Sequence, residues 1–203
     1  MTVKLIIDND AVRARMSLED RQEINDAIDS SLIAAHVFLA GQLNTAFDPN
    51  PSLQDIFYLN REMFPDLPGD MFRCRLKQAF VKSIANVQVA ETRRGLFIDA
   101  EVTTVPSTDY QVDMEKGLVY IECDGYEHNF LMVSYAAGFD SVNKAPDWLQ
   151  ECALSYVPSI LNYQQVTNRN AETEKAVRMI QSQVAGMMDN KRRETAFQLS
   201  PIY

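Results

Sequence analysis

Glu122, Asp124, Glu127 and His128 crowd around Cys123 in one short stretch of the sequence. Carboxylates beside an imidazole can hold a metal ion or act as a general base, so a small hydrolase working through Glu127 and His128 is one reading. The competing reading is a hairpin tip whose acids face water, where charged side chains are mostly found. Nothing else in the chain adds to the catalytic reading. There is no phosphate-binding loop, no Gly-x-Ser-x-Gly, no His-Glu-x-x-His and no Cys-x-x-Cys. Cys74, Cys123 and Cys152 are odd in number and far apart. They predict buried thiols in a reducing compartment, neither a disulfide framework nor a metal-ligand pair. The expectation is a protein that is not an enzyme, with no metal and no cofactor.

The charges are more informative than the nucleophiles. Net charge is −9 over 203 residues. Between Phe97 and Glu151 eleven acids, Asp109, Asp113 and Glu115 among them, face only Lys116 and Lys144, which equals the whole net charge. Between Arg61 and Arg94 seven bases, including Arg73, Arg75 and Lys77, outnumber four acids. A sequence-specific DNA binder would show a basic face and a high isoelectric point, so that class is disfavoured. Opposite charge on two regions suits subunits meeting basic side to acidic side, which steers assembly more than it adds affinity. Solvated loops of unrelated sign are the plain alternative.

These residues must be positioned by regular elements, and the periodicities supply them. Ser17 followed by Glu19 and Asp20 reads as a capped helix start. Ile24, Ala27, Ile28, Ser31, Ala35, Phe38, Leu39 and Leu43 then form one apolar face, predicting a helix over 17–44, about 40 Å long. His36 lies within it and reads as a core or surface histidine, with no metal partner nearby in sequence. The cluster Asp48-Pro49-Asn50-Pro51-Ser52 reads as a turn. Residues 55–60 read as strand or helix, with their dense aromatics and quick stop favouring strand; strands are expected over 71–77, with Phe72, Cys74 and Leu76 inward and the three bases outward, and over 84–90. Leu96 to Val105 reads as a polar hairpin arm. Tyr110 and Val112 lead through Met114-Glu115-Lys116-Gly117 into Leu118 and Tyr120, a hairpin by its turn chemistry.

Leu131, Val133 and Tyr135 alternate as a half-buried strand that ends in Ala136-Ala137-Gly138, small enough for a bend or close approach. Pro146 then suits the first turn of a helix over 147–162, which Pro158 should kink or end. A last helix is expected over 171–188. Together these predict an α+β fold: an α-helical bundle, with a long N-terminal helix plus C-terminal helices, an antiparallel β-sheet and hairpin region (54–135) set into it, and an extended C-terminal tail. One domain would cover 1–189 and the tail 190–203. In that tail Phe197, Leu199 and Tyr203 alternate behind Arg192 and Arg193. Such a pattern serves to add a strand to a partner or fill its pockets, unless the tail folds back on its own subunit. The longest apolar runs are far short of a membrane span, and the start lacks a signal peptide's apolar core.

The strand ending Tyr135-Ala136-Ala137-Gly138-Phe139, the loop, and the helix opening at Pro146-Asp147-Trp148-Leu149 resemble the head–tail connector (adaptor) proteins of tailed bacteriophages. The likeness extends to the N-terminal amphipathic helix and the strand pair 108–113 and 117–121, and covers about Ser17 to Tyr163 in order and spacing. It implies a structural virion protein of the neck, made and assembled in the host cytoplasm. Such proteins form a ring, typically twelvefold, between the portal protein and the tail or tail-completion proteins. Double-stranded DNA passes through its centre without sequence-specific binding, and no membrane is involved. The tail, with Arg192, Arg193, Phe197, Leu199 and Tyr203, would dock on the portal. Arg73, Arg75, Lys77, Asp109, Asp113 and Glu115 would be channel or subunit-interface charges. A stopper or tail-terminator protein is the alternative within the same structural class.

Overall fold

The computed structural model describes residues 6–60, 71–141 and 144–165, and within the C-terminal region 178–179, 182–183 and 186. Three helices and seven strands are formed among them: α1 (Asn9–Met16), α2 (Gln22–Leu43), β1 (Asn50–Tyr58), β2 (Met71–Arg75), β3 (Val81–Ala90), β4 (Thr103–Thr104), β5 (Tyr110–Asp113), β6 (Leu118–Glu122), β7 (Phe130–Ala137) and α3 (Asp147–Gln165). They fall into two compact units. Among the described residues the helices make up one, carried by the chain up to Phe47 and from Phe139 through α3; Asp48–Gly138, apart from 61–70, holds the described residues of the other.

This architecture corrects the expected helical bundle led by a long N-terminal helix. The helix at the N-terminus is α1, only eight residues long. Asp8 starts it, with Oδ1 accepting the Ala11 N–H at 2.8 Å. Asp10 in the first turn and Arg13 and Arg15 in the last suit the helix dipole. Ser17, read from sequence as a helix start, ends this helix in a left-handed conformation (φ +55°). Arg13 then holds the connection to α2, donating to Asp20 at 2.9 Å and to Asn25 at 2.5 Å. The longer helix begins only at Gln22, and no side chain caps it.

Within the helical unit α2 buries Ile28, Ser31, Leu32, Ala35, His36 and Leu39, packing on α1 and α3. His36 meets the edge of Phe47, and Phe38 stacks on Tyr156. On its side α3 buries Leu149, Cys152, Ala153, Tyr156, Val157 and Leu161. It runs on through Pro158. Burial of Val157 and Leu161 on either side offsets the backbone bond that proline cannot make.

The β-part is likewise more than a hairpin region set among helices. It forms two antiparallel sheets, ordered β1-β7-β3-β4 and β2-β6-β5. Phe57 and Leu59, Phe72 and Cys74, Val87 and Val89, Val119 and Ile121, and Leu131, Val133 and Tyr135 bury one continuous core between them. A core of that size lets the sheets stand on their own side chains. Asn50 and Pro51, read as a turn, belong to β1. As an outer strand it tolerates proline, and its register slips between Asn50 and Leu53. The supposed polar arm folds down as well. Thr103 and Thr104 pair with β3, while Leu96, in a 3-10 turn, joins Ala90 and Met132 on the other face of that sheet.

Candidate functional site

Asp55 sits in β1 in phase with Phe57 and Leu59, so the pleat turns its carboxylate inward, where it is 3% exposed. A buried carboxylate needs donors. Oδ2 accepts the Tyr135 hydroxyl at 2.8 Å and the Lys77 backbone N–H at 2.6 Å, and the Tyr135 oxygen accepts the Gln78 N–H at 3.2 Å. These bonds fix the bend after β2. From the other side the turn between β5 and β6 holds the same bend. Leu76 N–H donates to Gly117 O at 2.8 Å, Phe80 N–H to Glu115 O at 3.1 Å and Val81 N–H to Met114 O at 2.7 Å. Gly117 has φ +66°, and a Cβ there would lie 2.5 Å from the Gln78 carbonyl oxygen. Only glycine allows that approach.

Five of the six charged residues singled out by sequence lie on the three-stranded sheet β2-β6-β5 or in the bend and turn that border it, and the sixth leads into it. Arg73 and Arg75 project from β2, half-buried, on the side away from Phe72 and Cys74. Lys77 lies beyond the strand, in the bend. Register sets Arg73 opposite Tyr120 and Arg75 opposite Leu118 on β6, which in turn face Gln111 and Asp113 on β5. The basic strand and the acidic strand are therefore the two outer strands of one sheet. Arg73 spreads its guanidinium over the Tyr120 ring at 5.3 Å. Asp113 is held in place by its own turn, with Oδ1 accepting the Lys116 N–H at 3.0 Å and the Lys116 ammonium 3.8 Å from Oδ2.

Asp109 leads into β5. Tyr126 donates its hydroxyl to Oδ2 at 2.6 Å and Thr108 donates to Oδ1 at 2.7 Å. These bonds hold the Asp109 carboxyl below the usual carboxylate range, and the carboxylate pushes the Tyr126 hydroxyl up to about 12.

The Glu122–His128 stretch is pulled apart by the fold. Cys123 points into the shared core, 2% exposed, while Glu122, Asp124, Glu127 and His128 stay exposed. His128 adopts φ +66°, with its N–H on Leu59 O at 2.7 Å, so the residue serves a backbone reversal. Among the described residues no group of three or more His, Cys, Asp or Glu could hold a metal ion. All three thiols are buried. Burial raises those of Cys74 and Cys152, with Cys123 adding to the first and Glu151 to the second. Arg192, Arg193, Phe197, Leu199 and Tyr203 lie outside the described residues, as does most of the expected helix 171–188. Asp55, Tyr126 and Tyr120 were missed by the sequence reading. For Asp55 a signal existed: an acid in phase with Phe57 and Leu59.

No family model matches this chain, and no curated protein matches it. Among solved structures it is similar to chains of gene transfer agent (GTA) particles. One comes from the neck of an empty GTA particle with C6 symmetry, 16% identical, TM-score 0.44, covering 82% of this chain and 81% of that one. Another belongs to the virion of the native GTA particle, 16% identical, TM-score 0.41, covering 84% and 88%. A third comes from the neck of a native GTA particle with C12 symmetry, 17% identical, TM-score 0.39, covering 84% and 87%. At these TM-scores the likeness assigns this chain neither a family nor a role.

Proposed function

We propose that this chain is a structural neck protein of a phage-type particle, a head–tail connector whose subunits form a ring between the portal vertex and the tail. The observation that supports it most is the joint on which the sequence resemblance rests. β7 lies between β1 and β3 in its sheet and stops at Gly138, whose φ is +91°. After a short loop α3 opens, with Pro146 O accepting the N–H groups of Leu149 and Gln150 at 2.9 and 3.1 Å. The ring would be twelvefold, made in the host cytoplasm and carried in the virion neck, with DNA passing through unread. The residues Arg192, Arg193, Phe197, Leu199 and Tyr203 are its docking arm for the portal, and the protein has no catalytic role.

The test is capture on a matching, fully assembled portal ring, with the whole chain and with a version cut after Asn190. Capture of the whole chain and loss of the shortened one support both the connector and its arm. Capture of both keeps the connector and removes the arm. If neither is captured the connector reading fails, and a stopper or tail terminator further down the neck takes its place.

A further inference from the structure

We infer that copies of this chain join edge to edge through the three-stranded sheet, the β5 side of one copy lying along the β2 side of the next. Both outer strands run antiparallel to β6, so they run parallel to each other. A second copy displaced across the strands therefore brings its β2 beside β5 with the same face outward. The rows then continue from copy to copy. Asp113 comes level with the neighbour's Arg75 and Gln111 with its Arg73, each step two residues along the strand.

Charge selects this arrangement over the others. Two β2 sides would oppose Arg73 and Arg75 to the same residues, and two β5 sides would oppose Asp109 and Asp113. Charged outer strands ordinarily keep sheets apart. Here the two edges differ in sign, so like-with-like pairing is repelled and the head-to-tail pairing is attracted. Arg75 has no ion pair with another described residue. A head-to-tail contact repeats from copy to copy, and it makes a ring when each step also carries a rotation that closes. The inference rests on the neck reading only for that closure.

Charge reversal tests it with the whole chain. Arg75→Glu sets an acid level with the neighbour's Asp113, and Asp113→Arg sets a base level with the neighbour's Arg75. Self-association, followed by sedimentation velocity across a concentration series, is expected for the wild type at low salt and should weaken as salt rises. Each variant alone should associate about tenfold more weakly, and an equimolar mixture should recover wild-type association because unlike edges now alternate. Asp113 also caps its turn, so Gln111→Arg, at an exposed position level with the neighbour's Arg73, is a second variant that sets like charges together, should weaken association in the same way, and leaves the turn intact. Overturning results are a wild type that stays monomeric at low salt, single variants that assemble like the wild type, or mixtures no tighter than the variants alone. Portal capture is read separately, so failure here leaves the connector reading standing.

Discussion

At the scale of single residues, the Asp55–Tyr135 pair decides how the bend after β2 is held. Removing the Tyr135 hydroxyl leaves Asp55, among the described residues, with the Lys77 N–H, and Gln78 loses this acceptor. Tyr135→Phe should therefore cost about 1–3 kcal/mol in urea unfolding. An unchanged midpoint would mean that the network does not form in solution. Tyr126 and Asp109 make a pH-dependent pair. The Asp109 carboxyl is lowered on folding, so its contribution is present above the unfolded value of 3.8 and fades as pH falls through the folded one. Tyr126 is raised from 10.0 to about 12, so its contribution is complete below pH 10 and is lost as pH rises through 12. Tyr126→Phe should flatten the stability profile in both windows, and tyrosinate absorbance of the variant should have one fewer late-titrating tyrosine than that of the wild type. Of these residues the sequence singles out Asp109 but neither Asp55 nor the two donors. Tyr126 reaches Asp109 across 17 positions and Tyr135 reaches Asp55 across 80, and no local pattern encodes that.

At the scale of elements, alternation was the dependable signal. Phe72, Cys74 and Leu76 are buried at 2% exposure or less, and Leu131, Val133 and Tyr135 at 1% or less, as period-2 spacing predicts. Helix starts were less legible. Ser17 before two acids has the composition of a start, yet it follows a helix already running from Asp8, and that helix needs an end. Propensity gave both roles to one residue, and the contacts of Arg13 with Asp20 and Asn25 chose between them. The faces of α2 can be tested directly. Leu39 is fully buried and Val37 is 64% exposed, two positions apart. Leu39→Ala should cost about 2–5 kcal/mol, while Val37→Ala should stay within about 0.5 kcal/mol. Equal effects in thermal or urea unfolding would contradict the helix orientation.

At the scale of the whole molecule, the charge asymmetry was readable as a sum but not as a shape. The strong acidic excess of 97–151 is spread over strands, turns and the start of α3. Only strand order shows that part of it borders the same sheet as Arg73 and Arg75. Strand order depends on pairings between distant segments, such as β2 with β6, and a single sequence does not disclose them. The two-unit division shares that origin. Phe47 and Phe139 stack on each other, and Phe139 N–H donates to Phe47 O at 2.9 Å. The 91 residues from Asp48 to Gly138 thus begin and end at two residues that touch each other. Lengthening, trimming or exchanging that stretch asks nothing of the path of the helical chain.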